Sequence, residues 1–108
     1  MYLLSALPGS IVPSEGCTLS IQPLGVLDRC QLVDLIARGE VQSAIGHADT
    51  ALLISHLLGV SVPMARASVP TLVSGQRHYL ALYQGPRLPE GCTTLPDGAT
   101  VNFYMLLS

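Results

Sequence analysis

Glycine and proline cut this chain so often that it has room only for brief strands and two short helices. There are ten glycines and eight prolines in 108 residues. Proline removes a backbone donor and glycine admits the left-handed turns that end helices, so each one punctuates the pattern. Tyr2 to Leu7 is an apolar run stopped by Pro8-Gly9, which reads as a buried strand. From Cys17 to Gln22, Thr18, Ser20 and Gln22 alternate with Cys17, Leu19 and Ile21, the two-residue period of a strand with one buried face. Pro23 and Gly25 close that segment.

Helical periods follow. Asp28 and Gln31 have the spacing of a capping box, and Leu32, Val33, Leu35, Ile36 and Ala37 mark one face of a helix stopped at Gly39. The clearest helix is entered through Gly46-His47-Ala48-Asp49-Thr50. It carries Leu53, Ile54, Leu57 and Leu58 on one face and ends at Gly59. Asp49 in its first turn suits the positive end of the helix dipole. Past Pro63 the strand pattern returns: Arg66 to Leu72 and Arg77 to Gln84 flank Ser74-Gly75 as a hairpin. Gly85-Pro86-Arg87-Leu88-Pro89-Glu90-Gly91 reads as a shaped loop, Pro96-Asp97-Gly98 as a tight turn, and Thr100 to Leu107 as a closing strand. The order β-β-α-α-β-β-β predicts a single small α/β domain over 1–108. Its sheet is mixed, mostly antiparallel, with about five strands and two main helices.

Composition narrows the functional classes. Charged residues make up 11% of the chain and hydrophobic ones 49%, against about 25% charged in an average soluble domain. So few charges cannot cover the outside of a small domain, which predicts that a second copy covers part of it, as a homodimer. The longest apolar stretch, Ala51 to Ala65, is interrupted by His56, Gly59, Ser61 and Pro63. It falls short of the ~18 continuous apolar residues of a membrane span. The opening residues lack a basic start and hold Pro8 and Pro13, unlike an export signal. Three unpaired cysteines, Cys17, Cys30 and Cys92, point to a reducing compartment, the cytoplasm. A net charge of −2 gives no field for long nucleic acid. All five fixed cations are arginines: Arg29, Arg38, Arg66, Arg77 and Arg87. Arginine suits phosphate, although the bias of a lysine-free chain needs no functional cause.

Metal chemistry has no sequence support: there is no Cys-x-x-Cys, no His-x-x-x-His and no acidic cluster. A phosphate loop with lysine and a Gly-x-Ser-x-Gly elbow are also missing. Two segments remain. Ile45-Gly46-His47 stands at a helix entrance, where backbone N–H groups favour anions and a glycine admits close approach. His47 there either touches a bound phosphate or simply helps cap the helix. Arg87-Leu88-Pro89-Glu90-Gly91 sets an arginine three residues from a carboxylate, as a phosphate clamp beside a proton-transfer group or as a solvated surface pair. His56 reads as a packed or surface side chain and His78 as exposed near a turn. Tyr79, Tyr83, Phe103 and Tyr104 read as sheet packing.

Together these segments resemble the viral ring nucleases, small proteins of archaeal viruses with relatives in bacteriophages. The likeness runs through Tyr2-Leu3, the run Ser43 to Thr50, Gly59, Arg66 and Arg87-Leu88-Pro89-Glu90-Gly91, essentially the whole chain. The resemblance implies cleavage of cyclic tetra-adenylate without metal or cofactor, giving linear di-adenylate with a 2′,3′-cyclic phosphate. It further implies suppression of type III CRISPR signalling in a host cytoplasm. Carried over, His47 is the general acid, Glu90 its support, and Arg66 and Arg87 hold the ligand. Gly46, Ser10, Asp49, Thr50 and Tyr83 complete the implied binding set. The chain departs from the family in its first loop, where Ser5 and Ser10 are the available polar residues. It departs again where Leu82, Tyr83 and Gln84 stand near an expected glutamine, and at Asp49 where some relatives carry serine. Two alternatives go with this reading: a protein that sequesters the messenger uncut, and a structural dimer that binds a protein partner.

Overall fold

A short strand at the chain start is the member around which the sheet is assembled. The computed structural model describes residues 1–7, 19–66, 69 and 75–107. The elements in chain order are β1 (Tyr2–Leu4), β2 (Ser20–Pro23), α1 (Val26–Ala37), β3 (Gln42–Ser43), α2 (Ala48–Leu58), β4 (Arg77–Gln84) and β5 (Thr100–Leu107). The five strands form one mixed sheet in the order β2-β5-β4-β1-β3. The long ladders, β4 with β5 over eight positions and β2 with β5 over four, are antiparallel. β1 runs parallel to both of its neighbours, with Leu3 opposite Tyr79 and Ser43, and Leu4 opposite Leu80. A small α/β domain with five mixed strands and two helices is therefore what the chain forms.

Both faces of the sheet are covered, which explains why β1 and the middle of β4 are apolar without alternation. Successive strand residues point to opposite faces. Leu3, Tyr79, Ala81 and Phe103 pack on one side with Leu32 of α1 and Ala51 and Ile54 of α2. Leu4, Leu80 and Leu106 pack on the other side with Val69. Leu32, Ile45, Leu53, Ile54 and Leu106 are fully buried, each contributing about 1.5–3 kcal/mol by leaving water.

The helices keep their expected stops but not every start. α1 begins earlier than predicted, with Gly25 as N-cap. Asp28 is not the cap: its carboxylate accepts from the Gly25 N–H at 3.2 Å, the reciprocal half of a capping box. Gly59 ends α2 in the left-handed region at φ 72°, its N–H donating to the Ser55 carbonyl. Ser55 also ties down the returning chain. Its hydroxyl accepts from the Val62 N–H at 2.9 Å and lies 2.7 Å from the Ala51 carbonyl that it can donate to.

Other expectations need correction. β3 was invisible to periodicity, because two residues cannot show alternation; it is defined by backbone pairing with β1. Among the described residues β4, for which Arg66 to Leu72 was predicted as the hairpin partner, pairs with β5 along its whole length and with β1 at Tyr79 and Leu80. Arg66 lies outside any strand, and most of that predicted segment lies outside the described residues. Cys17 and Thr18, in the predicted second strand, also lie outside them. Cys30 is exposed. His78, expected at the surface, is 4% exposed. The β1–β4 pairing brings the chain start over it, so that its Nδ1 accepts from the Tyr2 N–H at 3.1 Å. Its Nε2 is buried without a hydrogen-bond partner.

Burial, and secondarily the nearby charge of the chain start, push the His78 pKa below its ordinary value of 6.5. The unfolded chain therefore takes up this proton more readily than the folded one. Stability should be full above the ordinary histidine value and decline as pH falls through it. Melting temperatures from about pH 7 to about pH 5 should drop less steeply in His78→Asn, which keeps an acceptor for Tyr2 but does not titrate. A second expectation concerns Ser55. Ser55→Ala strands the buried Val62 N–H and should cost about 1–3 kcal/mol in urea unfolding.

Candidate functional site

Because β1, β3 and β4 are parallel, the loops leaving them emerge along one edge of the sheet, the edge where open α/β sheets place ligands. The loop after β3, Ala44 to His47, leads straight into α2. Within it the Ser43 hydroxyl accepts from the Ile45 N–H at 3.3 Å, turning the chain out of the sheet. The loop after β4 is the Gly85 to Gly91 segment. Ser5 follows β1, whereas Ser10 lies outside the described residues.

His47 is the N-cap of α2 by backbone, at φ −125° and ψ 126°, yet its side chain makes no capping hydrogen bond. Its carbonyl accepts the Ala51 N–H at 3.0 Å, while the imidazole stands exposed. A merely capping histidine is thereby set aside. The first N–H groups of α2 carry no side-chain cap, leaving the mouth of the helix open to an anion.

Two tethers gather the other candidates around that mouth. The first brings in Arg66. The Ala65 N–H donates to the Ile45 carbonyl at 2.9 Å, and Arg66 Nε donates to the Gly46 carbonyl at 3.3 Å. A Cβ on Gly46 would lie 3.4 Å from Arg66 Cγ, so glycine leaves the arginine stem its path. The second tether brings in the β4 loop: the Gly91 N–H donates to Asp49 Oδ1 at 3.3 Å. Glu90 is adjacent to Gly91, and Arg87 lies in the same loop. Both are exposed. Among the described residues the sole ion pair joins Arg38 to Asp34, far along α1. Arg66, Arg87 and Glu90 are thus not neutralised by one another. Thr50, half-buried, follows Asp49 in the first turn.

The root of the β4 loop is tied down by one hydrogen bond and one close backbone approach. The Tyr83 hydroxyl donates to the Pro86 carbonyl, which spends the polar end of that ring on shaping the loop. Gly85 has φ 152°, and a Cβ there would sit 2.7 Å from both Cα and Cβ of Ala99. Only glycine fits where these two segments of the chain meet. No group of three or more His, Cys, Asp or Glu able to hold a metal occurs among the described residues. No helix among them is long and apolar enough to cross a membrane.

Sequence reasoning named His47, Glu90, Arg66 and Arg87, and the structure brings their segments to one edge. It missed the link between Asp49 and Gly91, which are 42 residues apart. It also missed the Ile45–Ala65 bond, since backbone pairing outside regular elements leaves no mark in residue pattern.

The molecule is thus a small open-sheet α/β protein with an exposed histidine, two arginines and a carboxylate set at the carboxyl ends of its parallel strands. The STIV B116-like family model matches residues 1–99, and the chain belongs to that family. Among solved structures it is similar to B116 of Sulfolobus turreted icosahedral virus. That match has a TM-score of 0.73 at 24% identity, covering 99% of this chain and 97% of that one, a shared fold. No curated protein matches it.

Substituting Gly85→Ala should strain the loop root and cost about 1–3 kcal/mol, read as a lowered urea midpoint.

Proposed function

We propose that this protein is a ring nuclease that opens cyclic tetra-adenylate. The observation that carries the reading is the uncapped, exposed imidazole of His47 at an open helix mouth, with Arg66 and the Arg87–Glu90 loop tethered beside it. Arginines that are not ion-paired suit a polyanionic ring, and the helix start adds partial positive charge.

In a cyclic oligoadenylate each ribose 2′-oxygen lies next to the phosphorus it can attack. The 2′-oxygen–phosphorus bond forms and the phosphorus–O5′ bond breaks, leaving a 2′,3′-cyclic phosphate and a free 5′-hydroxyl. The proton of the attacking hydroxyl passes to water, while His47 gives a proton to the departing O5′. No redox partner or metal enters this balance. Holding the ring so that attacker and leaving group are in line supplies a large part of the rate. Arg66 and Arg87 hold phosphates and offset charge developing on the phosphoryl oxygens. Glu90 orients the imidazole. A second copy related by a two-fold axis completes the site, giving two equivalent cuts and two linear di-adenylates. Such an activity in a virus related to the family's namesake removes the alarm signal of type III CRISPR immunity in the host cytoplasm.

The test is incubation with cyclic tetra-adenylate in the presence of a chelator, with products separated by chromatography. Wild type should yield linear di-adenylate. His47→Ala should slow cleavage by about 10²–10⁴-fold while still binding the ring. Arg66→Ala should weaken binding. Binding by wild type without product would replace catalysis with sequestration, and absence of binding would remove the nucleotide altogether and favour a partner-binding dimer.

A further inference from the structure

The Arg87–Gly91 loop has almost nothing to hold it. Pro86 and Pro89 lack backbone donors. Among the described residues, a single hydrogen bond joins residues 87–91 to another element: Gly91 N–H to Asp49 Oδ1 at 3.3 Å, between loop and α2. The end of the loop is itself a tight turn. The Cys92 N–H donates to the Pro89 carbonyl at 3.2 Å, with Glu90 and Gly91 between them and Gly91 at φ 71°. A left-handed residue at the third position is the mark of a type II turn. Glu90 is therefore carried on a four-residue turn that is pinned to α2 one residue away.

Asp49 is the second residue of α2, where the helix dipole favours a carboxylate. One of its oxygens is already committed to Gly91. A carboxylate offered directly to a phosphate would repel it, so this position suits a fastener better than a ligand contact. We propose that Asp49 is a positioning residue that latches the Glu90 turn to the mouth of α2, setting Glu90 toward the imidazole of His47. The latch rests on the ring-nuclease reading for its consequence, but its existence can be measured without it.

The experiment compares Asp49→Ala, which removes the acceptor, with Asp49→Asn, which retains an oxygen in the same place and drops the charge. Amide hydrogen exchange at Gly91, followed by NMR in the free protein, reads the latch itself. Cleavage of cyclic tetra-adenylate reads its consequence. In Asp49→Ala, Gly91 exchange should accelerate by about tenfold, the scale of one hydrogen bond to a charged group. Meanwhile kcat should fall with little change in KM, and Asp49→Asn should recover most of both. Unchanged Gly91 exchange in Asp49→Ala would overturn the latch. So would a rise in KM at constant kcat, which marks a ligand contact, or Asp49→Asn behaving as Asp49→Ala. If wild type does not cut the ring, the ring-nuclease reading falls, while the exchange comparison still decides whether Asp49 fastens the turn.

Discussion

The parallel pairing of β1 between β4 and β3 is the constraint on which the rest of the molecule depends. It is only three residues long, yet it joins the antiparallel half of the sheet to the segment that launches α2. The Gln42 N–H donates to the Met1 carbonyl and the Ala44 N–H to the Leu3 carbonyl, each at 2.9 Å. Leu3 and Leu4 anchor the same strand into opposite faces of the core, at 1% and 3% exposure. Because β1 is parallel to both neighbours, the exits of β3 and β4 share one edge. The Gly46-His47 and Arg87–Gly91 segments meet for that reason. Had β1 been parallel to one neighbour and antiparallel to the other, the two exits would lie at opposite ends of the sheet.

Charge and burial divide between the two ends of these strands. At the carboxyl ends His47, Arg66, Arg87 and Glu90 are exposed and not paired with one another. Water solvates them, so the fold bears little cost for keeping them available. At the amino ends the one buried polar side chain among the described residues, His78, sits under the chain start with one nitrogen bonded and one bare. An orphaned buried donor disfavours the folded state, and the imidazole stays neutral there because its charged form would lose hydration with no counter-ion in return. The titratable group that tests folding and the one that serves the candidate site therefore lie at opposite ends of the sheet, and substitutions can separate them.

Much of this was legible in residue order. The apolar face of α2, its left-handed stop at Gly59, the Pro96-Asp97-Gly98 turn and the β5 strand follow local rules, and Gly98 with the Ala99-to-Pro96 bond closes the expected turn. Two readings failed, each for its own reason. Asp28 was placed as a cap because residue type cannot tell the two halves of a capping box apart. His78 was placed outside because its neighbour in sequence is a turn, while its neighbour in space is Tyr2, 76 residues away.

By itself the sequence determined the element types, most of their ends, and the residues able to carry acid, base and phosphate chemistry, since helix stops, strand periods and side-chain functional groups are local properties. Tertiary structure alone decided which of those residues share an edge, that the imidazole of His47 is spared from capping, and that Asp49 spends its oxygen on Gly91. Those outcomes depend on strand direction and on backbone bonds between distant segments, and no local preference encodes either.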